Sequence, residues 1–176
     1  MRGETLYPLN ELRLRYPDAY ESERRKYVGR EALLGMQIPL LALRWNDALH
    51  LAPIHPSRLA AAWRSAGLWS DVWDGEFFEI PLDRIAGYRC AWFAAGALAV
   101  EAAQAADDVA WFRADAYHGL TEPPAAYHEH LRQRRLEGRR PRPFAHIPHV
   151  LVPGSIDVAS VTVVRANEPA TAEGEG

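Results

Sequence analysis

The order of short apolar runs and helix signals along the chain constrains the fold most. Residues 38–45 form an apolar run bounded by turn-forming residues, which is typical of a buried strand. A helix is predicted from Pro56 to Gly67, because proline suits the first turn of a helix and glycine its end. A second helix is predicted to reach about Glu137 and to end at Gly138. Further short strands are predicted at residues 76–80, 109–113, 149–152 and 158–165.

These segments alternate without a regular βαβ rhythm, which favours an α+β fold over a doubly wound sheet. We expect a mixed or antiparallel sheet that packs with about four helices. Near the N-terminus, Asn10 and Asp18 are the predicted caps of two short helices. Residues 88–93 are ambiguous between a strand and the start of an alanine-rich helix that reaches about residue 106.

The length of 176 residues is that of one ordinary domain. We predict a single globular domain over residues 1–166, followed by a disordered acidic tail over residues 167–176. Hydrophobic residues make up 48% of the chain and charged residues 24%, which argues against a disordered chain and against a membrane protein. The longest stretch with few charges, residues 90–100, is about half of the ~20 residues that span a bilayer.

Two features bear on the compartment. The N-terminus has no apolar run of the kind found in a secretory signal, and Cys90 is the only cysteine, so no internal disulfide can form. We therefore predict a reducing, cytoplasmic location. The basic residues are 19 arginines and one lysine, which is typical of a GC-rich bacterial genome.

Four of the seven histidines fall in two short segments, residues 45–56 and 146–149. Imidazole changes its charge between pH 5 and 8, so such clustering indicates acid–base chemistry. A helical turn would bring Asp47 and His50 to one face, whereas a strand would separate them. Alternatively, Asp47 forms a turn and His55 caps the next helix. The candidate catalytic residues are His50, His149, His146 and Asp47.

A metal site is the competing use of the same side chains. Neutral imidazole is the commonest metal ligand in proteins, and the set would suit a divalent metal such as zinc, iron or manganese. No HExxH motif and no cysteine pair accompanies it. The candidate metal ligands are His50, His55, His146 and His149.

Two histidines that approach from two strands resemble the two-histidine phosphoesterases, which use one ring as base and one as acid. In that family a serine or threonine follows each histidine by two positions. In this chain Ala52 stands two positions after His50, and Pro148 two positions after His146. A second resemblance is to DarT-type DNA ADP-ribosyltransferases. It rests on residues 149–156, similar to their late strand, and on residues 55–68, similar to their early histidine and helix. His149 stands where that family has its catalytic glutamate.

Six arginines lie within residues 132–142, where Glu137 is the one acidic residue. One guanidinium group can donate two parallel hydrogen bonds to a phosphate, so the segment indicates phosphate recognition. Phe144 and Tyr127 are candidates for stacking on bases. The alternative is a solvated helix end whose arginines complement the helix dipole. The candidate phosphate-binding residues are Arg132, Arg135, Arg139, Arg140 and Arg142.

The sequence thus predicts a small protein that binds or processes a phosphate-bearing ligand, a nucleotide or nucleic acid, at a histidine-lined cleft. Whether it is an enzyme stays open, because no catalytic motif is complete. The alternative is a non-enzymatic interaction or regulatory module with structural histidines. Such a module would use Trp69 and Trp73 as interface residues, toward a protein partner or a second copy of the chain.

Overall fold

A computed structural model describes residues 3–29, 31–68, 75–94 and 109–168. The predicted α+β class is confirmed: helices are combined with short strands, and every strand pair in these ranges is antiparallel. In chain order the elements are β1 (Thr5–Leu6), α1 (Leu9–Arg15), α2 (Pro17–Arg24), α3 (Ala32–Gly35), β2 (Gln37–Ile38), β3 (Leu43–Arg44), β4 (Ala48–Leu51), α4 (Pro56–Ser65), β5 (Glu76–Glu79), β6 (Ala91–Phe93), β7 (Val109–Trp111), α5 (Ala125–Leu136), β8 (His149–Pro153), β9 (Ile156–Asp157) and β10 (Thr162–Arg165).

The chain divides into two compact units, each assembled from separate stretches. The first unit comprises residues 1–52, 80–117 and 148–160, and the second comprises residues 53–79, 118–147 and 161–176. The first therefore holds α1 to α3 and most of the strands. The second holds α4, α5, β5 and β10.

A four-stranded sheet with the order β4-β8-β6-β7 is the centre of the first unit. One of its two inner strands, β8, reads His-Val-Leu-Val-Pro, and the middle three residues are buried, as expected of an apolar run paired on both sides. On one face Ala48, Ala91 and Leu151 pack against Leu33, Ile38 and Trp45. This face carries the core of the first unit.

In the second unit, α4 and α5 bury apolar stripes at helical spacing. Leu59 and Trp63 on α4 are fully buried, as are Tyr127 and Leu131 on α5. The Trp63 indole Nε1 donates a hydrogen bond of 2.6 Å to the Tyr127 hydroxyl, which itself donates to the Pro143 carbonyl at 3.0 Å. The helix predicted from Pro56 and the helix predicted to reach about Glu137 are thus confirmed.

The single strand predicted at residues 38–45 is wrong. Pro39 lacks a backbone N–H and opens a 3₁₀ turn, and Ala42 adopts a left-handed conformation with φ of 54°. The run therefore folds back on itself, so that β2 pairs with β3. The following strand, β4, pairs with β8 and not with this hairpin.

The two predicted N-caps are also wrong. α1 begins after Pro8 and α2 after Tyr16, so Asn10 and Asp18 lie inside the helices. In α2 the start signal is Pro17 at the first helical position, because proline fixes φ and lacks an N–H that the first turn cannot use, whereas Pro8 is the residue before α1. Asn10 is thereby free to reach another element, as described below.

The C-terminal strands do not pair with one another. Gly154 has a positive φ of 85° between β8 and β9, but β9 pairs with β1, and β10 pairs with β5. The alanine-rich helix predicted to reach residue 106, both interface tryptophans Trp69 and Trp73, and residues 169–176 of the predicted tail lie outside the described residues. Within the described ranges, no helix has the length and apolar character needed to cross a membrane.

Candidate functional site

His50 and His149 lie on the same face of the four-stranded sheet. His50 is opposite Leu151 in the β4–β8 pair, and His149 precedes Leu151 by two residues. Side chains two apart on a strand share a face, so the two imidazoles are diagonal neighbours. Their ring centroids are 6.2 Å apart in an edge-to-face arrangement. The structure therefore brings together two of the four candidate catalytic residues.

Aromatic rings surround this histidine pair. The centroid of Trp45 lies 4.2 Å from that of His50 and 5.2 Å from that of Phe93, both edge to face. Phe93 pairs with His149 across β6 and β8. We call Trp45, His50, Phe93 and His149 the imidazole–aromatic cluster. It lies where β4 and β6 end and β8 begins.

The hydrogen bond of His50 fixes its tautomer. Nε2 lies 2.9 Å from the Trp45 carbonyl oxygen, which can only accept, so Nε2 carries the proton and Nδ1 keeps its lone pair. Burial lowers the pKa of His50 from 6.5 to about 4, although this bond opposes the effect. At neutral pH the ring is therefore uncharged and presents an acceptor.

Asp47 is used to hold the chain next to this cluster. One carboxylate oxygen accepts from the Asn10 amide at 2.6 Å, and the other accepts from the Arg44 backbone N–H at 3.0 Å. The residue closes a 3₁₀ turn, Trp45–Asp47, and β4 follows directly. In the described part of the chain no hydrogen bond joins Asp47 to His50, as expected if His50 lies on a strand. Asp47 is thus placed as a turn residue that also secures α1.

The four candidate metal ligands are divided between the two units, since His50 and His149 belong to the first, and His55 and His146 to the second. His55 caps α4: its Nδ1 accepts from the Ser57 backbone N–H at 3.2 Å, which confirms the capping alternative. Across the described ranges, no three histidine, cysteine, aspartate or glutamate side chains form a group able to hold a metal ion. The residues there do not assemble the metal site considered above.

The second unit holds a different group of charged and titratable side chains. The ring of His146 lies 5.6 Å from that of His130, centroid to centroid, and the Arg142 backbone N–H donates to His130 Nε2 at 3.4 Å. Burial lowers the pKa of His130, and the charges of His146, Arg134 and Arg142 lower it further, while Glu137 opposes them. We call His130, Arg134, Arg140, Arg142 and His146 the basic cluster.

The basic cluster is formed by the C-terminal end of α5 and the segment that follows it. Gly138 adopts a left-handed conformation with φ of 62°, and the Arg139 N–H returns to the Arg134 carbonyl at 2.9 Å, which ends the helix. The Arg134 guanidinium donates to the Arg140 carbonyl at 3.2 and 3.0 Å and to Glu137 at 3.1 Å. Arg134 therefore ties the segment after the helix back to the helix itself.

The five candidate phosphate-binding arginines have different environments. Arg132 pairs with Glu129 at 2.7 Å, Arg135 donates to the Ala66 carbonyl at 2.8 Å, and Arg139 lies 4.0 Å from Glu137. Arg140 and Arg142 are exposed, and within the described residues their guanidinium groups make neither an ion pair nor a hydrogen bond. These two are the arginines available to a ligand.

The candidates for base stacking are less accessible. Tyr127 is fully buried with its hydroxyl bound on two sides, so it cannot stack on a ligand. Phe144 is half-buried and packs edge to face on Phe77, 6.2 Å between centroids. Sequence reasoning did not select His130. His130 lies four residues before Arg134, so both side chains are on the helix face toward the following segment. This i, i+4 spacing of a histidine and an arginine is a sequence signal that could have identified His130.

Comparison with known proteins gives no match, either to a protein-family model, to a curated protein or to a solved structure.

Proposed function

We propose that the protein binds a phosphate-bearing ligand, a nucleotide or nucleic acid, through the basic cluster of the second unit. The observation that carries this proposal is the meeting of the His130–His146 pair with Arg142, whose guanidinium has no counter-ion among the described residues. Because Glu137 is already paired with Arg134, the charge of Arg142 is available to an anionic ligand.

The local charge supports an anionic ligand. Residues 128–146 carry six arginines and two glutamates, so the segment has a net charge of four with its histidines neutral. Both glutamates are engaged by arginines: Glu129 by Arg132, and Glu137 by Arg134. The charge of Arg140 and Arg142 is left for a ligand, and guanidinium groups bind phosphate oxygens with good geometry.

Binding is best tested with a fluorescently labelled single-stranded oligonucleotide and with a labelled nucleotide, by fluorescence anisotropy at several salt concentrations. The double variant Arg140→Ala/Arg142→Ala is expected to bind at least roughly ten-fold more weakly, since each charge-assisted hydrogen bond contributes about 1.5–3 kcal/mol. Its salt dependence on the oligonucleotide should be shallower by about 0.7 for each phosphate that the variant no longer neutralises.

The matched control is Arg13→Ala/Arg25→Ala, which removes two exposed arginines from the first unit and changes the net charge equally. It should bind as the unaltered protein does. Equal losses in the two double variants would show a general charge effect and refute the site. Binding that does not vary between low and moderate salt would refute phosphate recognition altogether.

Processing of the ligand is a second candidate function, favoured by the approach of His50 to His149 on one sheet face. His50 is neutral at pH 7 and keeps Nδ1 as an acceptor, as a general base requires. We expect His149→Gln to abolish any cleavage of a phosphodiester or nucleotide substrate, with His118→Gln, a change at an exposed histidine, as control. Turnover by the unaltered protein that persists in His149→Gln would refute this role.

We also propose a cytoplasmic location, because the one cysteine of the chain, Cys90, is a buried free thiol.

A further inference from the structure

We infer that the basic cluster selects a terminal phosphate, that is a phosphomonoester, and that His130 takes up a proton when this phosphate binds. The inference rests on the proposed function and specifies its substrate class.

The compactness of the cluster favours a terminal phosphate. Two imidazoles lie 5.6 Å apart, centroid to centroid, and the Arg142 backbone N–H is bonded to one of them, so several groups able to bind phosphate oxygens are close together. A terminal phosphate offers three acceptor oxygens and a charge of about −1.5 to −2 at pH 7. A phosphodiester offers two non-bridging oxygens and a single charge. Concentrated donors therefore gain more from the monoester.

The hydrogen bond at His130 shows how a proton would be used. Its Nε2 accepts from the Arg142 backbone N–H, so in the ligand-free protein the ring proton is on Nδ1. When Nε2 is protonated, this acceptor is lost. Both the imidazolium N–H and the Arg142 backbone N–H then become donors for phosphate oxygens. The bond that breaks is a long one, 3.4 Å.

The charges around His130 also favour its protonation when a phosphate binds. The charged and titratable groups around His130 are Arg134 and Glu137 from the end of α5, and Arg142 and His146 from the following segment. Burial lowers the pKa of His130 below its usual range, and His146, Arg134 and Arg142 lower it further, while Glu137 opposes them. A bound dianion reverses the sign of this local field and favours the protonated ring.

Isothermal titration calorimetry tests both the preference for a terminal phosphate and the uptake of a proton. The probes are adenosine 5′-monophosphate and its 3′,5′-cyclic diester, which share a nucleoside but differ in having a terminal phosphate. Each is titrated at pH 7.2 in two buffers of different ionisation enthalpy, so that the difference in heat counts the protons exchanged. We expect the monoester to bind roughly ten-fold more tightly, with uptake of between half and one proton.

The variant His130→Gln keeps an acceptor for the Arg142 N–H but cannot titrate, and it should lose the proton uptake. His128→Gln, on the same helix, is the control and should retain it; circular dichroism checks that both variants fold. Equal affinity for the two nucleotides, or proton uptake unchanged in His130→Gln, would overturn the inference and leave the proposed function standing. If neither nucleotide binds and Arg140→Ala/Arg142→Ala leaves oligonucleotide binding unchanged, the proposed function itself fails.

Discussion

Acidification should destabilise this protein through His50, whose ring is held neutral in the folded state. In the unfolded chain its pKa is 6.5, whereas burial lowers the folded pKa to about 4. The unfolded state therefore binds more protons than the folded state between these two values. The stabilisation is fully present above pH 6.5 and is lost progressively as the pH falls towards 4.

The magnitude follows from the two pKa values. One pKa unit corresponds to about 1.4 kcal/mol, so the loss cannot exceed about 3 kcal/mol. Between pH 7 and pH 5 the linkage relation gives a loss of about 2 kcal/mol in the free energy of unfolding. For a chain of this length that change corresponds to a decrease of roughly 4–8 °C in Tm.

Urea denaturation followed by tryptophan fluorescence, at pH 7 and at pH 5, measures this loss. In His50→Gln the side-chain amide can still donate to the Trp45 carbonyl but does not titrate, so the variant should lose about 2 kcal/mol less than the unaltered protein. The control His118→Gln alters an exposed histidine and should behave like the unaltered protein. If His50→Gln and the unaltered protein lose equal stability between the two pH values, the reasoning about His50 is refuted.

Three further outcomes test the structure. Tyr127→Phe should cost about 2–3 kcal/mol in urea denaturation, because it removes a buried hydrogen bond to the Trp63 indole and a part-buried one to the Pro143 carbonyl, whereas Tyr88→Phe at the surface should cost under about 1 kcal/mol. Asp47→Ala should lower the free energy of unfolding by about 1–2 kcal/mol as the turn and its bond to α1 are lost, and unchanged stability would contradict that role. His55→Ala should cost about 1 kcal/mol and His55→Asn much less, since asparagine is also a good N-cap; equal losses would argue against capping.

The helices of the second unit could be predicted because their signals are local. Proline at the start of α4, glycine after its end and apolar residues at helical spacing are all contained in one short stretch. The same local logic failed at residues 38–45, where composition resembled a strand. Pro39 and the left-handed Ala42 impose a reversal that hydrophobicity does not report.

The sites required information that is not local. Both histidine segments were expected beside strands, but the pairing of β4 with β8 joins residues about a hundred positions apart, and no pattern within either segment specifies it. Asp47 carried the right chemistry for an acid–base partner, yet its oxygens are taken by Asn10 and by a backbone N–H. His130 is significant only through the segment that folds back from Gly138 to His146.

The position of β8 in the chain has a consequence for biosynthesis. This inner strand, which pairs on both sides, begins at His149, and its two neighbours in the sheet, β4 and β6, are made much earlier. The ribosome must therefore expose the chain as far as the end of β8 before the sheet can close, and until then β4 and β6 lack the strand that pairs with both of them. Pairings this distant in sequence slow folding and prolong exposure of strand edges. A chain that ends before residue 149 should consequently be handled by the cell as an aggregation-prone nascent product.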